Sequence, residues 1–85
     1  MADNQPPLYP EMARRRREQG RVMLHVDVSA DGAPVDWNVL QSSGHPALDA
    51  AAIAAVRQWR FVPASQGGRA IAASADVPII FRLEE

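Results

Sequence analysis

Arg21-Val-Met-Leu-His-Val-Asp-Val28 places an aliphatic residue at every second position. Successive side chains of a β-strand point to opposite faces of a sheet, so this spacing gathers the aliphatic residues on one face. They are Val22, Leu24, Val26 and Val28. The stretch therefore predicts a strand with one buried face, and the rest of the chain has to cover that face.

The residues that follow predict a β-hairpin. Residues 30–33 read Ala-Asp-Gly-Ala, which is typical of a turn between two strands. A second alternating run then places Val35, Trp37 and Val39 on one face. Because the connection is short, the two strands are expected to pair antiparallel, with their apolar faces on the same side.

Two helices are expected to flank this hairpin. Residues 10–19 are helix formers that begin with a proline and end before Gly20, a residue suited to follow the last helical turn. From 47 to 59, apolar residues recur at helical spacing, which predicts an apolar stripe lying across the hairpin. Trp37 and Trp59 are expected at the centre of a small core.

A third strand is predicted at the end of the chain, within residues 71–83. It is indicated by the alternation of Val77, Ile79, Phe81 and Leu83. Residues 65–69 before it are expected to form a flexible turn. Pro78 lacks the N–H that a central strand must donate, so one side of this strand should be an edge. The predicted fold is α+β, a three-stranded antiparallel sheet with two helices packed on one face, in the order α-β-β-α-β.

Composition indicates one small soluble domain. The chain has 85 residues, 47% of them hydrophobic and 22% charged, and it lacks the about 18–20 consecutive apolar residues of a membrane-spanning helix. Without cysteine there is no disulfide or thiolate metal site. Nine arginines against ten acidic residues argue against a general nucleic-acid surface. Residues 1–9 are predicted to be an extended, proline-rich linker end of an excised fragment, and residues 10–85 the domain.

Signals for catalysis are weak. Ser43, His45 and Asp49 are the residues of a remote hydrolase alternative, but the Gly-x-Ser-x-Gly turn is missing. His25 and Asp27 share the polar face of the first strand and could reach one metal ion, yet two ligands do not close a site. We therefore expect no catalytic residue, no metal site and no cofactor.

Two surface features remain open from the residues alone. The run Arg14–Arg17 is either a solvated helix face, which is favoured, or a patch that docks an acidic partner. The last strand leaves backbone groups that can accept another strand, unless Pro78, Arg82, Glu84 and Glu85 blunt this edge. An added strand could belong to a partner or to a second copy of the chain.

Six short motifs, in this order and spacing, resemble the C-terminal domain of TonB proteins. They are Tyr9-Pro10, Gly20-Arg21-Val22, the run from Ser29 through Asp31-Gly32 to Val35, Ser42-Ser43-Gly44 followed by Leu48-Asp49, Trp59-Arg60-Phe61 followed by Pro63-Ala64, and Val77-Pro78-Ile79 followed by Phe81. The resemblance extends from Gln5 to Leu83. The alternative is a TolA-like envelope protein in which this domain is a self-association module, although the TolA C-terminal domain lacks this set of motifs.

The resemblance implies a function that composition does not reveal. TonB proteins are anchored in the inner membrane of Gram-negative bacteria, and their C-terminal domain lies in the periplasm. With ExbB and ExbD they use the proton-motive force to energise outer-membrane transporters for siderophores, haem or cobalamin. The domain binds a short transporter segment, the TonB box, which adds as a strand beside the last strand of the sheet.

Carried over by position, the resemblance also implies the contact residues. Those at the start of the chain are Gln5, Pro7, Leu8, Tyr9, Pro10, Arg14 and Arg15, and those at its end are Val77, Ile79, Ile80, Phe81, Arg82 and Leu83. The chain departs from the family pattern by one additional residue between Gln5 and Tyr9. Met12 also stands where the family often has a basic residue, so Arg14 or Arg15 is expected to supply that charge.

Overall fold

The computed structural model describes residues 4–83, which form two helices, a three-stranded antiparallel sheet and a second small hairpin. The elements in chain order are α1 (Glu11–Arg15), β1 (Gly20–Val28), β2 (Pro34–Gln41), α2 (Pro46–Val56), β3 (Ala64–Gln66), β4 (Arg69–Ile71) and β5 (Ala73–Phe81). The predicted α+β fold is confirmed, with the β3–β4 hairpin as an addition. The first three residues of the predicted linker end, and Glu84 and Glu85, lie outside the described residues.

The core lies between one face of the sheet and the helices. Val22, Leu24 and Val26 of β1 are fully buried, as the alternating pattern predicted. They form one cluster with Ala13, Val28, Leu48, Ala52, Val56, Ile79 and Phe81. The members from α2 are spaced four residues apart and so lie on one stripe of the helix. Burial of a valine or leucine stabilises a fold by about 1.5–3 kcal/mol, so this cluster is the main source of stability.

β5 is an edge strand of the sheet, whose order is β2-β1-β5. Its pairing with β1 is regular, running from Gly20 opposite Phe81 to Val28 opposite Ala73. Within residues 4–83, no strand pairs with the other side of β5. The prediction that Pro78 lies in an edge strand is thereby confirmed.

β2 departs from the simple alternation predicted for it. Its register against β1 shifts twice, so that Val35 and Leu40 are extra residues opposite the partner strand. A bulge of this kind turns the strand locally and interrupts its two-residue period. Val35 is 62% exposed and Leu40 is 56% exposed, and only Trp37 of the predicted row packs against the buried cluster.

α1 is shorter than the helix predicted for residues 10–19. It ends at Arg15, and Arg17 takes the left-handed conformation, with φ of 58°, that stops the helix. Gly20 therefore does not follow the last helical turn but opens β1. Its missing side chain has another role, because a Cβ there would lie 2.9 Å from the carbonyl oxygen of Ser43.

The two other differences concern the core and the loop after α2. Trp37 and Trp59 lie at the rim of the buried cluster, half-buried, and not at its centre. The expected flexible turn at residues 65–69 is a hairpin, in which Gly67 and Gly68 take positive φ between β3 and β4. In the described part of the chain, neither helix is long and apolar enough to cross a membrane.

Gly32 connects the β1–β2 turn to the segment after α2, and it should not tolerate a side chain. Its φ is 88°, its carbonyl accepts a hydrogen bond from the Phe61 N–H at 2.8 Å, and a Cβ would lie 2.3 Å from the Phe61 carbonyl oxygen. We expect Gly32→Ala to lower the free energy of unfolding by about 2–3 kcal/mol, from backbone strain and the lost hydrogen bond together. Urea denaturation measures this change.

Gly44→Ala is the matched control. Gly44 has nearly the same φ, 90°, but no atom lies within 4 Å of a Cβ built there. The control should therefore cost only the backbone strain, about 1 kcal/mol. Equal destabilisation by the two substitutions would contradict the close approach at Phe61.

Candidate peptide-binding cleft

The segment before α1, residues 4–10, is fastened to the residues that follow α2. The Trp59 Nε1–H donates a hydrogen bond to the Gln5 carbonyl at 2.6 Å. The Asn4 side chain pairs twice with the backbone of Arg60: its Nδ2 donates to the Arg60 carbonyl at 2.9 Å, and its Oδ1 accepts from the Arg60 N–H at 2.7 Å. These contacts hold the leading segment, as we call residues 4–10, in an extended path.

Tyr9 fastens the other end of the leading segment to β5. Its ring lies edge-on against the ring of Phe81, with the centroids 5.4 Å apart, and its hydroxyl donates to the Glu18 carbonyl. The Arg14 guanidinium lies over the same ring, 5.8 Å from its centroid. Two aromatic side chains, Trp59 and Tyr9, therefore set the position of the leading segment relative to the sheet.

A cleft of about 400 Å³ separates the leading segment from the edge strand. Its residues are Asn4, Pro6, Pro7, Trp59, Pro78, Ile79 and Ile80. One wall is thus the proline-rich segment and the other is the unpaired side of β5. The leading segment lies beside the free edge without pairing with it, because its hydrogen bonds go to Trp59, Arg60 and Glu18.

The phase of β5 decides which backbone groups face this cleft. In an antiparallel strand, the N–H and C=O of one residue point to the same side, and the side alternates along the strand. A proline fits a regular ladder where its missing N–H would point away from the neighbouring strand. Pro78 therefore faces outward together with Asp76 and Ile80. Ile80 presents both backbone groups to the cleft, and Pro78 presents only its carbonyl.

A second cavity, of about 390 Å³, lies on the other side of the leading segment. It is bounded by Gln5, Pro6, Leu8, Ala51, Ala54, Ala55, Gln58 and Trp59. Leu8 is 86% exposed above a helix face composed largely of alanine. The leading segment therefore runs between two open spaces, one against α2 and one against β5.

The structure brings some of the predicted contact residues together and separates others. Pro7, Ile79 and Ile80 line the cleft beside β5, whereas Gln5 and Leu8 line the cavity against α2. Ile80 is 62% exposed, but Ile79 and Phe81 are buried core residues whose backbone groups face β1.

The remaining predicted residues lie around the cleft rather than in it. Pro10 precedes the first turn of α1, and Val77 faces the core cluster. Arg15 forms an exposed ion pair with Glu11 at 3.2 Å. Arg82 is exposed beyond the end of β5, and the Leu83 N–H donates to Gln19 Oε1 at 2.8 Å.

Two residues of the cleft, Asn4 and Trp59, lie outside the stretches 5–10 and 77–83 in which contacts were predicted. Trp59 was predicted to lie in the core because it falls on the apolar stripe of the helical pattern at 47–59. An indole, however, has a polar N–H that seeks an acceptor when it is partly buried, and this was the signal that could have separated Trp59 from a core leucine.

The residues of the hydrolase alternative lie at the start of α2, where Asp49 in the first turn binds residues that precede the helix. The Asp49 carboxylate accepts hydrogen bonds from the Ser42 hydroxyl and from the N–H and hydroxyl of Ser43. Partial burial opposes ionisation of Asp49, but these hydrogen bonds outweigh burial and lower its pKa. The His45 ring lies beside Glu18 instead, with Nδ1 at 3.7 Å from Oε2. Ser43 thus has no histidine directed at it, and its hydroxyl donates to the Asp49 carboxylate instead.

The polar pair on β1 does not form a metal site either. Asp27 Oδ1 lies 3.4 Å from His25 Nε2, and the third nearby group, Asp76, contacts the opposite ring nitrogen. Carboxylates on opposite sides of one ring do not converge on a common point. Residues 4–83 contain no cluster of three or more side chains suited to a metal ion.

Trp59→Phe should release the leading segment while preserving the core. The substitution keeps a large apolar ring but removes the indole N–H that holds Gln5. We expect the ¹H–¹⁵N heteronuclear NOE of residues 4–8 to fall, with a stability loss of about 1 kcal/mol. Trp37→Phe is the control, because the Trp37 indole belongs to β2 and lies beneath the Arg57 guanidinium, away from the leading segment. An unchanged NOE in Trp59→Phe would show that this hydrogen bond does not hold the segment.

Comparison with known proteins identifies the family. A family model described as the C-terminal part of the Gram-negative bacterial TonB protein matches residues 5–83. The TonB2 protein of Pseudomonas aeruginosa is 48% identical over 80 residues, covering 94% of this chain and 30% of that protein. The TonB protein of Vibrio cholerae is 40% identical over 78 residues, covering 92% of this chain and 32% of that protein.

Solved structures agree with these matches. The solution structure of the C-terminal domain of Pseudomonas aeruginosa TonB aligns with a TM-score of 0.84 and 32% identity, covering all of this chain and 87% of that one. A Helicobacter pylori TonB C-terminal domain aligns with a TM-score of 0.72 and 28% identity, over 93% of this chain and 83% of that one. The chain spans about a third of the length of the curated relatives. It belongs to the family of TonB C-terminal domains.

Proposed function

We propose that this chain is the periplasmic receptor-binding end of a TonB energy transducer, and that it binds the TonB box of outer-membrane transporters as an added strand on β5. The rest of such a transducer would lie in the inner membrane with ExbB and ExbD, and the domain would pass on force derived from the proton-motive force. The nutrients would be siderophores, haem or cobalamin. Membership of the family supports the general role, and the cleft beside β5 supports the mode of binding.

The observation that carries the proposal is an unpaired strand edge facing an open cleft. Edge strands present a row of unsatisfied backbone groups, and an extended peptide can satisfy them by adding a strand. Here the cleft has room for such a peptide between the leading segment and β5. No rearrangement of the sheet is needed for the peptide to reach Ile80.

Backbone pairing alone gives weak binding. The Pro78 carbonyl and the two backbone groups of Ile80 would contribute about 1 kcal/mol net each, before the cost of association is subtracted. Side chains of the peptide must therefore contribute as well. The walls of the cleft favour apolar peptide side chains, because Pro6, Pro7 and Trp59 lie on one side and the exposed Ile80 on the other.

Charge would act on the approach of the peptide more than on its final affinity. Arg14 and Arg15 are exposed on α1, and Arg82 is exposed just beyond the end of β5. Arginines at the rim of a binding site raise the association rate of acidic partners and lose that effect as salt increases. A peptide with acidic residues next to its strand-forming part would benefit most.

Self-association through β5 is the second candidate, since the same edge could pair with a second copy. Pro78 disfavours this pairing, because the proline of each copy has no N–H to donate to the ladder that the two copies would share. The leading segment beside the edge must also be accommodated twice. Sedimentation over a range of concentrations, without peptide, distinguishes the two: a monomer throughout supports a partner strand, and a dimer supports self-association.

Titration of ¹⁵N-labelled domain with a synthetic TonB-box peptide tests the proposal. Because the peptide would lie between the leading segment and β5, chemical-shift changes should concentrate on residues 79–83 and 7–15. Changes confined to the β1–β2 turn around Asp31 would contradict binding at this edge.

Substitutions at residue 80 test whether the backbone of β5 does the binding. Ile80→Pro removes the outward N–H and should weaken peptide binding at least about fivefold, the effect of one hydrogen bond. Ile80→Ala keeps the N–H and separates the side-chain contribution. Ser74→Pro, at an outward position distant from the cleft, controls for a second proline in the strand. Equal affinity of Ile80→Pro and Ile80→Ala would contradict strand addition at this residue.

A further inference from the structure

The outer face of the sheet, opposite the helices, carries a histidine held between two carboxylates. His25 of β1 lies directly opposite Asp76 of β5, and its Nδ1 is 2.7 Å from Asp76 Oδ1. Its Nε2 is 3.4 Å from Oδ1 of Asp27, two residues along β1. The three side chains are only partly exposed, at 36% for His25, 58% for Asp76 and 49% for Asp27.

This arrangement suits the imidazolium form and not the neutral ring. A neutral imidazole has one N–H and one lone pair, so one of its nitrogens would direct a lone pair at a carboxylate oxygen. The protonated ring donates on both sides. The conclusion is the same whichever nitrogen carries the proton in the neutral ring, because a carboxylate lies at each of them.

The charges around His25 also favour its protonated form. On β2, Asp36 lies directly opposite Asp27, and Asn38 lies opposite His25. Like charges directly opposite each other destabilise a sheet, so Asp27 and Asp36 repel each other, and a positive charge on His25 beside Asp27 reduces that repulsion. The hydrogen bond to Asp76 raises the pKa of His25; desolvation opposes this rise, and the charges of Asp76 and Asp27 add to it, so that the net shift is upward.

We propose that His25 is a positioning residue for the binding strand, which in its protonated form bridges Asp76 of β5 and Asp27 of β1 and so holds the first half of β5 against the sheet. Asp76, which lies opposite His25 on β5, comes shortly before Pro78, and Pro78 lines the cleft. The pairing of β5 with β1 would then be most stable below neutral pH. The link from this bridge to peptide binding rests on the proposed function.

The direction of the pH dependence follows from linkage. The folded-state pKa of His25 lies above its ordinary value of 6.5. The bridge therefore contributes its full stability below 6.5 and loses it as the pH rises through the folded-state value. Exposed ion pairs of this kind change an opening equilibrium by about twofold to fivefold, which sets the size of the expected effect.

The first experiment measures the bridge directly, by NMR titration of the His25 ring. We expect its midpoint above 6.5 and a fall towards that value in Asp76→Asn. Asp36→Asn is the matched control, because it removes the same charge from the same face without a contact to His25. A midpoint at or below 6.5 in the wild type, or an equal fall in both variants, would overturn the proposal.

The second experiment follows the strand by amide hydrogen exchange. The N–H groups of Ala75 and Val77 face β1, so their protection reports on the pairing of β5 near His25. Between pH 6 and pH 8 the protection should fall about twofold to fivefold in the wild type. It should be low and independent of pH in His25→Gln, and high and independent of pH in His25→Arg, whose cation is permanent. Wild-type protection that does not change with pH would overturn the proposal.

The third experiment connects the bridge with binding. Affinity for the TonB-box peptide should decline with rising pH in the wild type and stay constant in His25→Arg. A bridge that is seen by titration and exchange but leaves affinity independent of pH would overturn the positioning role. Absence of peptide binding at every pH would instead contradict the proposed function, and the first two measurements would still decide whether the bridge exists.

Discussion

The burial of one aliphatic row, on β1, is the constraint on which the rest of the structure depends. Val22, Leu24 and Val26 are fully buried against α2, and a shift of the strand by one residue would turn all of them towards solvent. With this face fixed, β1 pairs on both sides and becomes the central strand. Both of its neighbours, β2 and β5, then lie at edges of the sheet, so the free backbone of β5 is a consequence of how the core is built.

The leading segment lies beside the unpaired edge of β5, across the cleft. Trp59 and Tyr9 hold the leading segment at a distance from β5 that leaves a cleft and not a closed contact. A peptide entering this cleft would find both walls already in place, which lowers the entropy lost on binding. Trp59 therefore connects the end of α2 to the shape of the site, although it offers no backbone to the peptide.

The periodic parts of the sequence predicted the fold, and the contacts between distant parts escaped prediction. Alternation located β1 and β5, and the chemistry of Pro78 located the edge, because these depend on local pattern. The hydrogen bond from Trp59 to Gln5 joins residues 54 positions apart, which no periodicity can reveal. The bulges of β2 and the left-handed Arg17 escaped for another reason, because no period signals an inserted residue or an arginine in a conformation that usually favours glycine.

The edge-on contact between Tyr9 and Phe81 has a mechanical consequence. Phe81 ends β5, and Tyr9 belongs to the segment across the cleft, so the two sides of the site are joined by a pair of rings. Tension applied to the leading segment would reach β5 through this pair and through the Tyr9 hydroxyl on Glu18. Because Phe81 is a member of the buried cluster, such a load would pass directly into the core that joins β5 to the rest of the domain.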